Sequence, residues 1–270
     1  RQRDLRAGRM EHALLEARRC EHAGVLSLLA QIAENASPLF RKTPANALGL
    51  TKDPEPVKSG VHAQVLGELA QIFGVKHEAY LARNADNRVS VFSAQPASIV
   101  IGGRTPPDAN ELRFRLARAF EYARNDNVLV ISHNARGLDA LFQALRAAFT
   151  PAAATQVPRE AAALAAELWR TMPSKSQRTL SARVAELVSV PDHAELLREV
   201  QLRGARCGLF VTRELDLALA QLGQDGDASD YAVEHTEGAL NRALESNLFV
   251  RALFDYAFSD AYLDALLDNS

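Results

Sequence analysis

Residues 97–123 read ASIVIGGRTPPDANELRFRLARAFEYA, and this stretch decides the fold. Its first part, Ala97–Ile101, is rich in Val and Ile and lies between Pro and Gly, which predicts a β-strand. After a glycine turn, Asp108 can cap a helix, and Glu111 supplies the acidic residue three positions later. The apolar residues that follow recur with helical spacing. We therefore predict a strand, a tight turn and a helix over residues 108–124.

The regions around this stretch contain further predicted strands and helices. Glu78–Ala82 and Arg88–Ser93 precede it and are predicted as strands, and Asn127–Ser132 follows it and is also β-prone. Later helices are predicted at 135–149, 158–171, 177–189, 191–206, 213–222, 233–245 and 247–268. Helices that follow a group of strands, rather than alternating with them, are typical of α+β proteins. We predict a predominantly helical α+β fold, in which a small β-sheet packs on the helix at 108–124 and a helical C-terminal half follows.

The N-terminal region has a different pattern. Residues 1–35 have helical spacing, which predicts one long helix or two helices joined near Gly24. Residues 37–57 contain four prolines and no sustained period, which predicts a connecting loop. Val61–Phe73 predicts a helix that Gly74 ends. We expect an N-terminal helical arm and linker at 1–57, an α+β core at 58–225, and C-terminal helices packed on the core at 226–270.

Composition excludes several classes of protein. The 270 residues carry 31 basic and 33 acidic side chains, and a net charge of −2 lacks the positive excess that collects a phosphate backbone. No stretch approaches the roughly 18 to 20 uninterrupted apolar residues of a bilayer-spanning helix. We therefore expect neither nucleic-acid binding nor membrane insertion by this segment.

The ends and the residue usage indicate a source and a compartment. Cys20 and Cys207 cannot form a disulfide framework, which favours a reducing compartment and a cytoplasmic location. The chain begins at Arg1 with neither an initiator Met nor an apolar signal core, so we expect it to be part of a longer protein. Only five of the 31 basic residues are Lys, a bias that indicates GC-rich, bacterial DNA.

Two segments have the frame of a known pair of zinc motifs. Glu111–Tyr122 reads ELRFRLARAFEY, and Gln201–Leu209 reads QLRGARCGL. The chain here resembles the gluzincin metallopeptidases of the CAAX prenyl protease and heat-shock membrane protease type, over residues 60–225. In that family a strand, a loop and a helix of the form E-L-x-x-V-L-A-H-E-x-x-H lead to a later helix, E-x-x-A-D-x-x-G-L, whose Glu is the third zinc ligand. The strand Ser98–Ile101 takes the place of the family's edge strand.

The resemblance also implies that the family's chemistry has been lost. The two His ligands fall on Arg118 and Tyr122, the general base falls on Ala119, and the third ligand falls on Gln201. A guanidinium stays charged and repels a divalent cation, and an alanine methyl cannot accept a proton from water. The implied protein has a zincin-like helix, no catalytic residue, no metal and no cofactor.

The positions of the two lost His ligands, Arg118 and Tyr122, belong to a polar stripe. Glu111, Arg115, Arg118 and Tyr122 follow one another at helical spacing, beside the apolar face of the same helix. Hydrogen bonds from Arg118 to Gln201 or Glu111 could fill the former metal cleft. The alternative is that this stripe is a solvated helix face without a cleft.

Other motifs carry little chemistry. No two of the seven His are three or four residues apart, so no helix can present a pair of His ligands. Gly102 and Gly103 lack the pattern of a phosphate loop and indicate a tight turn with positive φ. Ser132 and His133 are adjacent, so their side chains diverge on an extended chain and do not form a nucleophile and its base.

These observations favour a non-catalytic, metallopeptidase-like domain of a larger bacterial protein, acting in protein–protein interaction or assembly, with a protein partner not yet identified. The first alternative is a hydrolase with an unrecognised active site around His77, Glu78 or His133. The second is a helical-repeat scaffold without a zincin-like core. The apolar stretch at 247–267 is either core or a partner surface, and we expect core.

Overall fold

The sheet is small and mixed. The structure is a computed structural model, and it describes the chain except for residues 1, 51–52, 84, 87, 104–107, 151–156, 188, 225–236 and 268–270. Its strands are β1 (Glu55–Pro56), β2 (His77–Ala82), β3 (Val89–Phe92) and β4 (Ala97–Gly102). Their order is β1-β2-β4-β3, with β2 parallel to β4 and the outer two pairs antiparallel. Because β4 lies between β2 and β3, the expectation that Ser98–Ile101 is an edge strand is wrong. Every residue of β4 is buried, and its continuous apolar run reflects this interior place.

Helices make up most of the described chain. In chain order they are α1 (Gln2–Ala17), α2 (Ala23–Asn35), α3 (Ser37–Phe40), α4 (Pro44–Leu48), α5 (Gly60–Phe73), α6 (Ala109–Tyr122), α7 (Val128–Ser132), α8 (Ala135–Phe149), α9 (Arg159–Thr171), α10 (Ser174–Glu186), α11 (His193–Thr212), α12 (Leu215–Gln224), α13 (Glu237–Ser246), α14 (Leu248–Ala257) and α15 (Asp260–Leu267). The predicted predominantly helical α+β fold is confirmed. No described helix combines the length and the apolar character that crossing a bilayer requires.

The β-prone run after α6 is a helix, so the strand prediction for Asn127–Ser132 is wrong. The amide of Val128 donates to the carbonyl of Arg124 at 2.9 Å, and the amide of Ile131 donates to that of Asn127 at 3.1 Å. Val128, Leu129 and Val130 are all buried. A short apolar run that is buried on every side carries no period that separates a strand from a helix.

Several other element boundaries differ from their predictions. The N-terminal helix breaks at 18–22, before Gly24, and residues 37–57 hold α3, α4 and β1 instead of a plain loop. The predicted helix at 191–206 continues to Thr212, because the glycines within it pack against a neighbouring helix and do not end it. The stretch predicted as one helix at 247–268 contains two helices, which span 248–257 and 260–267. The first four residues of the predicted helix at 233–245 lie outside the described residues.

The centre of the fold is α6. Its Leu112, Phe114, Leu116 and Phe120 are almost wholly buried. It packs against α5 and β3 and against α11 and α12. The N-terminal α1 packs on α11 and on α15, which ties the two ends of the chain to the same core.

Candidate functional site

One of the two glycines before α6 has the positive φ that the sequence predicts. Gly103 has a φ of 97°, which a residue with a side chain rarely adopts. A Cβ at Gly102 would collide with the backbone carbonyl of Asp86, so this position also requires glycine. The Asp108 carboxylate accepts a hydrogen bond from the amide of Asn110 at 2.8 Å, which caps the helix as expected.

Helices α6 and α11 approach each other at two glycines. A Cβ at Gly204 would lie 2.5 Å from Cε1 of Tyr122, and a Cβ at Gly208 would lie 2.6 Å from the ring of Phe114. The aromatic side chains of α6 therefore lie directly on the backbone of α11. Gly204 follows Gln201 by about one helical turn, so this part of α11 lies beside the C-terminal half of α6.

The structure brings together two of the predicted site residues. Arg118 donates from Nε and from Nη2 to the hydroxyl oxygen of Tyr122, at 3.2 and 3.1 Å. Its guanidinium carbon lies 5.8 Å from the ring centroids of both Phe114 and Tyr122. Arg118 and Ala119 are buried. The guanidinium is thus held between two aromatic rings on the face of α6 that meets α11.

Gln201 is half-buried on α11, three residues before Gly204. Within the described residues, no hydrogen bond joins its side chain to Arg118 or Tyr122, although both of these make further interactions. The convergence of all three side chains therefore stays a prediction.

The N-terminal part of the polar stripe contacts another helix. Arg115 lies 3.9 Å from the Glu111 carboxylate and donates from Nε to Gln221 at 2.7 Å and from Nη2 to Gln224 at 3.0 Å. Because Gln221 and Gln224 belong to α12, the stripe packs between helices at Arg115. It is not a plain solvated face.

A buried ion pair that the sequence analysis did not single out lies close by. Oε1 of Glu121 is 2.8 Å from Nη2 of Arg203, and the two side chains are 0% and 3% exposed. Glu121 is seven residues after the buried Phe114, and Arg203 is seven after the buried Leu196, so each charge occupies an apolar face. Opposite charges on the buried faces of two helices are the sequence signal that would have indicated this pair.

The ion pair belongs to a larger network. Arg18 donates from Nε to Oε2 of Glu121 at 2.8 Å, and Arg203 donates from Nη2 to Asp126 at 2.9 Å and from Nη1 to Asn127 at 3.1 Å. Burial alone would raise the pKa of the Asp126 carboxyl, but the charges of Arg203 and Arg124 outweigh it and lower that pKa. Burial alone would lower the pKa of Arg203, but the charges of Glu121 and Asp126 outweigh burial and raise this pKa above its ordinary value. Asp126 and Arg203 therefore both stay ionised near neutral pH.

The network lies beside a cavity of about 860 Å³. The walls come from the α1–α2 junction, α2, the end of α5 and the loop after it, the loop before β4, the segment just after α6, and Arg203 of α11. Arg18, Arg124, Asp126 and Arg203 all line it. This volume lies in the range of small-molecule pockets.

Both cysteines lie next to the same network. Sγ of Cys207 is 3.7 Å from Glu121, and Sγ of Cys20 is 4.0 Å from Nη1 of Arg203. Burial raises the pKa of each thiol, and the Glu121 carboxylate raises that of Cys207 further. Neither thiol has the lowered pKa of an activated nucleophile.

The residues of the alternative hydrolase site are engaged locally. The ring of His77 packs edge-on against Phe120 with centroids 4.6 Å apart, and Glu78 accepts a hydrogen bond from the Tyr80 hydroxyl at 2.7 Å. Nδ1 of His133 is 2.9 Å from the carbonyl oxygen of Leu129, and burial lowers the pKa of this imidazole. In the described ranges, no three or more His, Cys, Asp or Glu side chains are grouped so that they could hold a metal ion.

The fold and the site define an α+β protein with a glycine-mediated helix pair and a buried charge network beside a cavity. No protein-family model, no curated protein and no solved structure matches the chain.

Proposed function

We propose that this chain is a non-catalytic, metallopeptidase-like domain of a larger bacterial protein and that it acts in protein–protein interaction or assembly. The observation that carries the proposal is the hydrogen bond between Arg118 and Tyr122. These two residues occupy the positions of the family's zinc-binding histidines in the resemblance. A guanidinium held between the Phe114 ring and the Tyr122 phenol occupies the space with a positive charge, which opposes a divalent cation.

The packing of α11 also supports the proposal. In the family's frame E-x-x-A-D-x-x-G-L, the two small residues correspond to Gly204 and Gly208. These are the two positions where a Cβ would collide with aromatic rings of α6. The order of elements agrees as well, since strand β4, a loop and helix α6 precede the later helix α11 that packs on α6.

The C-terminal helices offer a surface for protein contact. Four large apolar side chains there are well exposed in the structure, namely Leu248, Phe258, Leu263 and Leu267. Their helices also bury Leu253, Tyr256 and Tyr262 against the core. The stretch expected to be core therefore has a buried inner face and exposed apolar side chains, and these four side chains are the proposed contact surface.

The loss of chemistry is tested by metal content and by proteolysis. We expect the purified protein to contain no stoichiometric zinc and to cleave no unstructured peptide substrate, with or without added Zn²⁺. Peptide cleavage that a chelator abolishes would contradict the proposal, because it requires a working metal site.

Restoring the ligands tests the resemblance itself. The quadruple variant Arg118→His, Ala119→Glu, Tyr122→His and Gln201→Glu rebuilds the family's donor set, and we expect it to bind one Zn²⁺ per chain and to melt at a higher temperature when zinc is added. The matched control carries the same three changes on α6 with Arg198→Glu, an exposed position on α11, in place of Gln201→Glu. Equal zinc affinity of the two variants, or no zinc binding by a folded quadruple variant, would contradict the proposed correspondence.

The contact surface is tested by a comparison of variants. We expect the double variant Phe258→Ser and Leu267→Ser to lose a cellular protein that the unchanged chain retains in co-purification. Trp169→Ser, which removes an exposed aromatic from α9, serves as the control and should retain it. Retention of the same proteins by all three would exclude the C-terminal helices as the contact surface.

A further inference from the structure

We propose that the cavity beside Arg18 and Arg203 binds a small organic carboxylate with an apolar body. The site is separate from the Arg118–Tyr122 pair, so the inference goes beyond the proposed function. Arg18 comes from the α1–α2 junction and Arg203 from α11, and both line the cavity of about 860 Å³. The two guanidinium groups meet on the same Glu121 carboxylate, which fixes their positions.

The charges beside the cavity do not balance. Three guanidinium groups, of Arg18, Arg124 and Arg203, surround two carboxylates, of Glu121 and Asp126. The network therefore has an excess of one positive charge. A bound monoanion would neutralise this excess.

The two remaining charged residues of the lining are exposed. Lys76 and Glu34 both line the cavity, and their opposite signs compensate each other. Glu34 also accepts a hydrogen bond from the side chain of Asn125 at 3.0 Å. The excess of one positive charge thus stays at the guanidinium groups, which favours a monoanion over a dianion such as phosphate.

Among the guanidinium groups that line the cavity, two buried N–H groups lack acceptors within the described part of the chain. They are Nε of Arg203, whose side chain is 3% exposed, and Nη2 of Arg18. Both nitrogen atoms are closed to solvent, so contact with a bound carboxylate falls to the accessible parts of Arg18 and Arg124, whose side chains are 15% and 30% exposed. Guanidinium groups bind carboxylates through short, charge-assisted hydrogen bonds, so the donors match this ligand class.

The rest of the lining is suited to an apolar body. Ala30 from α2, Val75 just after α5 and Pro96 from the loop before β4 line it with partly exposed apolar side chains. A ligand with a carboxylate at one end and a short hydrocarbon chain at the other would meet the basic and the apolar parts of the wall at once.

Octanoate is the probe, with octan-1-ol and inorganic phosphate as comparisons. In calorimetric titrations at pH 7, we expect octanoate to bind saturably with one site per chain and to raise the melting temperature. Octan-1-ol keeps the chain without the charge and should bind at least about tenfold more weakly, the equivalent of one charge-assisted hydrogen bond. Binding of octan-1-ol as tight as that of octanoate, or tighter binding of phosphate, would overturn the proposal.

Variants place the ligand in the cavity. Ala30→Phe fills the apolar part without changing a charge and should abolish octanoate binding, whereas Ala63→Phe, on α5 and away from the lining, should leave it unchanged. Arg18→Gln should weaken binding by about tenfold, and Arg18→Lys should retain part of it. Because Arg18 also holds Glu121, circular dichroism first establishes that each variant is folded. Unchanged binding by a folded Ala30→Phe variant would show that octanoate binds elsewhere.

Discussion

The carboxylate of Glu121 and the guanidinium of Arg203 form an ion pair of 2.8 Å between α6 and α11, with both side chains almost fully removed from solvent. The pair connects residues that are far apart in the sequence, and Arg18 adds a second cation to the same carboxylate. The two helices are therefore joined by charge at this point and by glycine–aromatic packing at Gly204 and Gly208.

Removing the charge of Glu121 should be costly. Glu121→Gln leaves Arg18, Arg124 and Arg203 facing only one carboxylate, and we expect the free energy of unfolding to fall by about 3 kcal/mol in urea denaturation at pH 7. The control is Glu160→Gln, which breaks an exposed ion pair with Arg136 and should cost less than about 1 kcal/mol. Similar losses for both variants would show that the buried network adds no stability beyond that of a surface pair.

A methyl group at Gly204 should disrupt the helix pair. Gly204→Ala brings a Cβ to 2.5 Å from the ring of Tyr122, and we expect a loss of about 1 to 3 kcal/mol in the free energy of unfolding. Gly67→Ala, on α5, meets no atom within 4 Å and should stabilise by about 0.5 to 1 kcal/mol through helix propensity. If the clash is the cause, Tyr122→Leu should recover part of the loss in the Gly204→Ala background.

Stability should fall in acid through Asp126. Its pKa in the folded protein lies below its ordinary value of about 4, because Arg203 and Arg124 outweigh the effect of burial. Its contribution is thus fully present above the ordinary pKa and is lost as the pH falls through the lowered, folded pKa. Urea denaturation between pH 7 and 2 should show a smaller acid loss for Asp126→Asn than for the unchanged protein. Asp264→Asn, at an exposed position on α15, should leave the pH profile unaltered.

The two thiols should react slowly while the chain is folded. Cys207 is fully buried, and its pKa is raised by burial and by the nearby Glu121 carboxylate. We expect alkylation by iodoacetamide at pH 8, followed by mass spectrometry, to leave Cys207 unmodified in the native protein and to modify it in guanidinium chloride. Half-buried Cys20 should react more slowly than free cysteine, since burial raises its pKa too. Rapid native alkylation of Cys207 would contradict the buried position of this thiol.

The correct sequence predictions concern features that a few neighbouring residues decide. The cap at Asp108, the helix that follows it and the glycine turn before it were all predicted, because each depends on contacts within one or two turns. The strand prediction for Asn127–Ser132 is wrong because most side chains of this short run are buried, which removes the period that would separate a strand from a helix. The strand β3 lies at the edge of the sheet and β4 lies inside it. This order depends on strand pairing, which no local sequence pattern encodes.

The amino-acid sequence by itself determined the class of fold and the side chains available to α6 and α11, since helical spacing and capping are local properties. Only the tertiary structure decided that Glu121 meets Arg203, that Tyr122 lies on Gly204, and that the resulting charge network borders a cavity. The physical reason is that a buried ion pair or a close helix contact depends on the relative placement of segments about 80 residues apart, which hydrophobic packing of the whole chain fixes.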